Sequence, residues 1–204
     1  GPDTFLLSPP NNFYRFFAKY DSLGNFMWAK TIGSNAPGTY LTDVATDQSG
    51  NIIYSMYASE SLCMNDNISD TCLITFSAGE SAYFLKFSQS GDFIWSQILD
   101  NPNGSIGTMV IGIDQNDVQY FTGIMNCPVD FDPGPDTFMV STSFLSAYLQ
   151  VLDSQNQFLN YSEYSGSALK GISRLKFNSN NTLYSAGHFH GVCVFDSIGG
   201  ISLA

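Results

Sequence analysis

The chain has 204 residues, of which 44% are apolar, 15% aromatic and only 12% charged, enough to bury a substantial core. Seven Lys plus Arg against 18 Asp plus Glu give a formal charge of −11, which repels phosphate backbones and anionic lipid surfaces and argues against a nucleic-acid partner. No run of 18 or more apolar residues and no basic-then-apolar N-terminal stretch is present, so neither a membrane span nor a signal peptide is expected; the missing initiator Met suggests a processed or excised segment.

The chain opens on Gly1-Pro2-Asp3-Thr4-Phe5, and the same five residues return at Gly134 to Phe138. A degraded copy stands at Ile68 to Cys72, and a fainter one at Ile198 to Ser202. After the opening motif, Phe16 to Asp21, a turn through Ser22-Leu23-Gly24-Asn25, and Phe26 to Ile32 read as strand, tight turn, strand. The arrangement returns around Ser88 to Asp92 and, less faithfully, around Asp153 to Gln157. A second kind of hairpin alternates with it, turning at Asp47 to Gly50, Asp114 to Asp117 and Asn178 to Asn181.

The fourth turn position tests this alignment. It holds Gly24, Gly50, Gly91, Asp117, Asn156 and Asn181, the residue types that enter the left-handed backbone region at least cost. Apolar residues also alternate in the flanking strands, as in Ile111 and Ile113 or Leu175 and Phe177. The period is about 66 residues, giving repeats of approximately 1–66, 67–132 and 133–198 in one domain. Each holds two hairpins, hence four short strands. The predicted fold is all-β, a β-propeller of four-stranded antiparallel blades, with a β-sandwich as the main competitor.

The hairpins at Ala18 to Lys30 and Asp43 to Tyr54, with the segment Val129 to Phe138, resemble the bacterial secreted β-propeller repeat family, SBBP-type repeats with FDPG-like segments. The resemblance implies a scaffold without a shared catalytic constellation, in an exported or cell-surface protein. It also implies that the Asp43-type strand is innermost in its blade and the Phe26-type strand outermost. Complete blades then run Leu41 to Leu99 and Thr108 to Glu163, while Phe16 to Ile32 lacks an inner pair and Gly171 to Phe189 an outer pair. Either the chain is part of a longer propeller, or two copies exchange their unfinished halves into a homodimer.

Several residues invite a sharper reading. Asp130, Asp132 and Asp136 alternate around a Gly bend, a spacing suited to calcium and equally to a Pro-Gly turn whose acids accept backbone amides; the turn is the expected role. His188 and His190 share a strand face near Cys193, one ligand short of an evident transition-metal site, and read as a polar strand end. Trp28, Trp95, Tyr54, Tyr120 and Tyr184 recur at matched or nearly matched positions, which predicts packing between blades more than sugar stacking.

Cys63 and Cys72 flank a polar loop and are candidates for a disulfide, a pairing the sequence leaves open, while Cys127 and Cys193 read as small buried residues. The Asn-x-Ser/Thr sequons at Asn67, Asn103, Asn160 and Asn180 are expected by composition and are not read as glycan sites in a bacterial protein. The resulting expectation is a non-enzymatic interaction or adhesion module with no required cofactor, binding a protein or glycan at its rim. The alternatives are a carbohydrate-active enzyme with loop-borne acids and a structural subunit of a surface assembly.

Overall fold

The computed structural model describes residues 5–7, 13–34, 38–59, 62–65, 70–74, 80–100, 103–142, 144–166 and 170–197. Within them every regular element is a β-strand, and every strand pairing is antiparallel.

All six long hairpins turn in the same way. The amide of the first turn residue donates to the carbonyl of the fifth, and that of the fourth to the carbonyl of the first, at 2.8–3.2 Å. Gly24, Gly50, Gly91, Asp117, Asn156 and Asn181 all take positive φ, between 60° and 85°, as their residue types led one to expect. The first residue, Asp21, Asp47, Ser88, Asp114, Asp153 or Asn178, adds a side-chain oxygen that accepts the fifth residue's amide. A left-handed fourth residue and an oxygen-bearing first residue therefore specify one turn together.

Two complete sheets result. The first is β3 (Tyr40–Thr46), β4 (Ile52–Ala58), β7 (Ser81–Phe87) and β8 (Phe93–Leu99), in that order. The second repeats the order with β9 (Ile106–Ile113), β10 (Gln119–Met125), β13 (Ser146–Leu152) and β14 (Phe158–Gly166). Two half-sheets flank them, β1 (Phe13–Tyr20) with β2 (Phe26–Ser34), and β15 (Lys170–Phe177) with β16 (Leu183–Phe189).

A short two-stranded ribbon stands where the sequence predicts only a turn motif. It follows the second strand of each complete sheet. In the first sheet, β5 (Leu62–Asn65) and β6 (Asp70–Ile74) leave β4 and extend the edge of β2. In the second, β11 (Val129–Asp130) and β12 (Met139–Val140) form a separate two-stranded ribbon. After β16, β17 (Cys193–Ser197) pairs with β14 of the preceding sheet.

The sheets stack face to face, with β3 beside β9 and β9 beside β15. The turns are stapled along this stack at nearly the repeat period. The Gln48 amide donates to Asp117 Oδ1 at 2.8 Å, and the Gln115 amide to Asn181 Oδ1 at 3.2 Å. Because each complete sheet is covered on both faces, β7 and β13 are buried at every position instead of alternating. One core cluster lies between the two complete sheets, where the Phe84 and Phe121 rings are 4.2 Å apart. A second joins Phe17 and Ile32 to Tyr54 and Phe87, and a third joins Leu149 and Val151 to Ile172 and Leu175.

One ionic pair breaks the repeat. Lys86 Nζ lies 2.9 Å from Asp47 Oδ2, both residues less than a tenth exposed. Val151 stands in place of Lys86 in the second sheet, and Asp114, the counterpart of Asp47, is held by Asn181 Nδ2 at 2.6 Å instead.

Candidate functional site

The loop between β11 and β12 carries Asp130, Asp132 and Asp136, and its geometry follows from what the acids must satisfy locally. Asp130 Oδ1 accepts the amides of Asp132 at 3.1 Å and Phe138 at 2.8 Å, tying both arms of the ribbon. Asp132 Oδ1 accepts the Gly134 amide at 2.7 Å, which sets the bend. Asp136 is exposed at the loop tip. Both oxygens thus do the hydrogen-bonding work expected of turn acids.

Between these acids, Phe131 is driven inward. It is fully buried, with ring centroids 5.0 Å from Tyr148 and 4.6 Å from Tyr161, and its carbonyl accepts a hydrogen bond from Gln150 Nε2 at 2.6 Å. Phe138 stacks on Phe158 at 4.6 Å. The ribbon is therefore anchored in the core between the two complete sheets, so that the acids sit at its rim.

There Asp130 and Asp132, but not Asp136, line a cavity of about 340 Å³ with Asp100, Gln97 and Asn156. Asp100 and Gln97 come from the β8 end of the first sheet, and Asn156 from the turn of the second. The Gln97 amide atoms and Asn156 Oδ1 are buried without a hydrogen-bond partner in the protein. Carboxylates and amides in such a cleft suit a hydroxyl-rich or cationic ligand. In the sequence Gln97 and Asp100 carry no mark and Asn156 reads only as a turn residue, since the three come together only when the sheets stack.

Among the described residues, no three His, Cys, Asp or Glu side chains are grouped to hold a metal ion. Calcium in millimolar excess over a chelated control is expected to leave the melting temperature unchanged, because the Oδ1 atoms of Asp130 and Asp132 already serve backbone amides. A calcium-dependent rise abolished by Asp132→Asn would reinstate the ion.

The other sequence candidates fall elsewhere. His188 and His190 are exposed, and His188 Nδ1 is 3.5 Å from Ser173 Oγ. Cys127 is a buried free thiol whose pKa is raised by burial, whereas Cys193 is half-buried. The backbone register places Cys63 opposite Cys72 in the β5–β6 pairing, and their side chains lie outside the described residues. Of the aromatic set, Tyr54 packs 4.7 Å from Phe17, Trp28 meets Phe17 edge-on at 5.8 Å, Tyr120 lies 4.9 Å from Phe177, and Trp95 packs on the central cluster. Tyr184 is the exception, at 59% exposed.

A further polar junction joins the complete sheets at Glu80. Ser105 Oγ donates to Glu80 Oε2 at 2.5 Å, and this bond, with one from Tyr57, holds the carboxyl below its ordinary range. Burial, reinforced by Glu80, pushes Tyr57 up to about 12.

No protein-family model matches the chain. Over 119 residues it is 29% identical to an uncharacterised WD repeat-containing protein of Acanthamoeba polyphaga mimivirus. The match covers 57% of this chain and 8% of that relative, so the chain is similar to one small part of a much longer protein.

Proposed function

We propose that the chain is a β-propeller scaffold of an exported or cell-surface protein, binding a protein or glycan ligand through its rim loops without catalysing a reaction. The observation that carries this reading is the succession of two four-stranded sheets of identical strand order, with β3, β9 and β15 side by side. That is the way propeller blades surround an axis, and such folds place variable loops on a rigid frame. Similarity to part of a WD repeat-containing protein supports the propeller. Export rests on the resemblance of the hairpins and the FDPG-like segment to secreted bacterial repeats.

The acidic cavity favours a second reading, a carbohydrate-active enzyme using Asp100, Asp130 or Asp132. Against it, Asp130 and Asp132 each accept backbone amides on one carboxylate oxygen, a structural duty that fixes both side chains in the turn. The two are separated by presenting the purified chain to immobilised glycans and surface proteins, and separately to soluble polysaccharides. Saturable binding weakened by Asp100→Asn or Asn156→Gly, with no release of reducing ends, is expected. Release of reducing ends that is lost in the Asp100→Asn variant would replace the scaffold with the enzyme.

A further inference from the structure

We propose that the cavity between the two complete sheets is a receptor for a primary ammonium group, the lysine side chain of a protein ligand. This deepens the scaffold reading and rests on it, by naming the chemistry that the acidic cavity recognises.

The preceding repeat fills the same place with a lysine of the chain itself. There Lys30 of β2 reaches the turn between β7 and β8, with Nζ 3.7 Å from Asp92 Oδ1. The side chain lies so close over Gly91 that a Cβ added to that glycine would meet Lys30 Cε at 2.9 Å. The turns align Lys30 with Gln97 and Gly91 with Asn156, and the strand register agrees, since Lys30 faces Phe17 as Gln97 faces Phe84. Between the complete sheets a shorter, uncharged amide therefore stands in place of the lysine. The cavity of about 340 Å³ opens beside it.

The lining of the cavity suits the missing ammonium. Three carboxylates, Asp100, Asp130 and Asp132, face it, and among the described residues around it there is no Lys, Arg or His. Asp130 and Asp132 are held in place by the amides that their Oδ1 atoms accept. Asp100 stands where β2 has Gly33 and β14 has Ser165, so its charge is particular to this junction.

The amides add an independent sign of a ligand. Gln97 is only 6% exposed, yet neither Oε1 nor Nε2 has a partner in the protein, and the buried Oδ1 of Asn156 has none. Burying such atoms costs stability until a partner reaches them. A sugar hydroxyl brings acceptor as well as donor capacity, whereas an ammonium brings three donors, a positive charge and no acceptor. Acceptors outnumber donors in this lining, which favours the ammonium over the sugar. The formal charge of −11 draws a basic partner towards it.

The test is heteronuclear NMR on the nitrogen-labelled chain, titrated to millimolar concentrations with Nα-acetyl-lysine methylamide, its neutral norleucine counterpart, n-butylammonium and glucose. The side-chain NH₂ signals of Gln97 and Asn156, identified by their loss in Gln97→Met and Asn156→Gly, are expected to shift saturably with the lysine compound and to ignore norleucine and glucose. Asp100→Asn or Asp132→Asn should weaken that binding about tenfold, while Asp136→Asn, exposed at the loop tip, should leave it unchanged. Gln97→Lys supplies the ammonium from within, as Lys30 does, and should abolish binding in a chain whose strand signal by circular dichroism is intact. A response to glucose alone, or a Gln97→Lys chain that binds as the wild type does, would overturn the ammonium site. n-Butylammonium bound as tightly as the lysine compound would overturn the protein ligand in favour of a free amine. Unmoved signals in a chain that still binds immobilised surface protein or glycan would overturn this site and leave the scaffold function standing; loss of both would overturn both.

Discussion

Asp47→Ala is expected to destabilise the chain by about 3–5 kcal/mol, because it strands the Lys86 ammonium in a site less than a tenth exposed. For a chain of this size that corresponds to a melting temperature lower by roughly 6–20 °C. Asp47 also accepts the amide and side-chain NH₂ of Asn51 at 2.8 and 2.9 Å, so the variant loses the anchor of the β3–β4 turn as well. Lys86→Met added to Asp47→Ala removes the unpaired charge and should recover part of the loss. Failure to recover any would assign the effect to the turn alone.

The same pair dictates an acid response. Burial alone would raise the Asp47 pKa, but hydrogen bonds from Lys86 and then Asn51 hold it below its ordinary value. An acid with a depressed pKa in the folded state contributes stability above its unfolded pKa and loses it as pH falls through the folded value. Denaturant titrations should therefore show stability falling below about pH 4. That slope should be shallower in Asp47→Ala/Lys86→Met.

Phe131→Ala is the second large effect, expected to cost about 3–5 kcal/mol. The ring is fully buried against Tyr148 and Tyr161, and its loss opens a void between the complete sheets. Phe131→Leu should cost clearly less, since it keeps most of the apolar volume. The alanine variant should also weaken any ligand of the acidic cavity, although Phe131 is not among the residues lining it, because Phe131 fixes Asp130 and Asp132 in position. Equal ligand affinity in wild type and a folded Phe131→Ala variant would separate the cavity from the ribbon.

The hairpins and their turns were legible because their causes are local. A left-handed fourth residue restricts the side chain at that one position, and Gly24, Asn156 or Asp117 announces it without reference to the rest of the chain. The first turn residue carries a signal of equal quality, since all six supply a side-chain oxygen to the fifth residue's amide. The short ribbons were missed because β11 and β12 are two residues each, too brief for any alternation to register.

For the site, the sequence displayed the acids of the FDPG-like loop but not their neighbours. Gln97 and Asp100 are separated from Asp130 by about 30 residues, and nothing in either stretch marks it as facing the other. The partner of Asp47 was equally hidden. Lys86 looks like Lys19 in the alignment, but Lys19 reaches the Gln89 carbonyl at 2.9 Å while Lys86 is folded under a turn.

The sequence by itself determined the repeat, the strand pairs and the six turns, since each depends on steric and hydrogen-bonding preferences within a few residues. Only the tertiary structure decided which sheet each short ribbon joins, which acids share a cavity, and which apolar residues of β1 and β16 are left uncovered. Those outcomes depend on sheets stacking across separations of a whole repeat. No local preference encodes the distance between side chains that meet only when two sheet faces are pressed together.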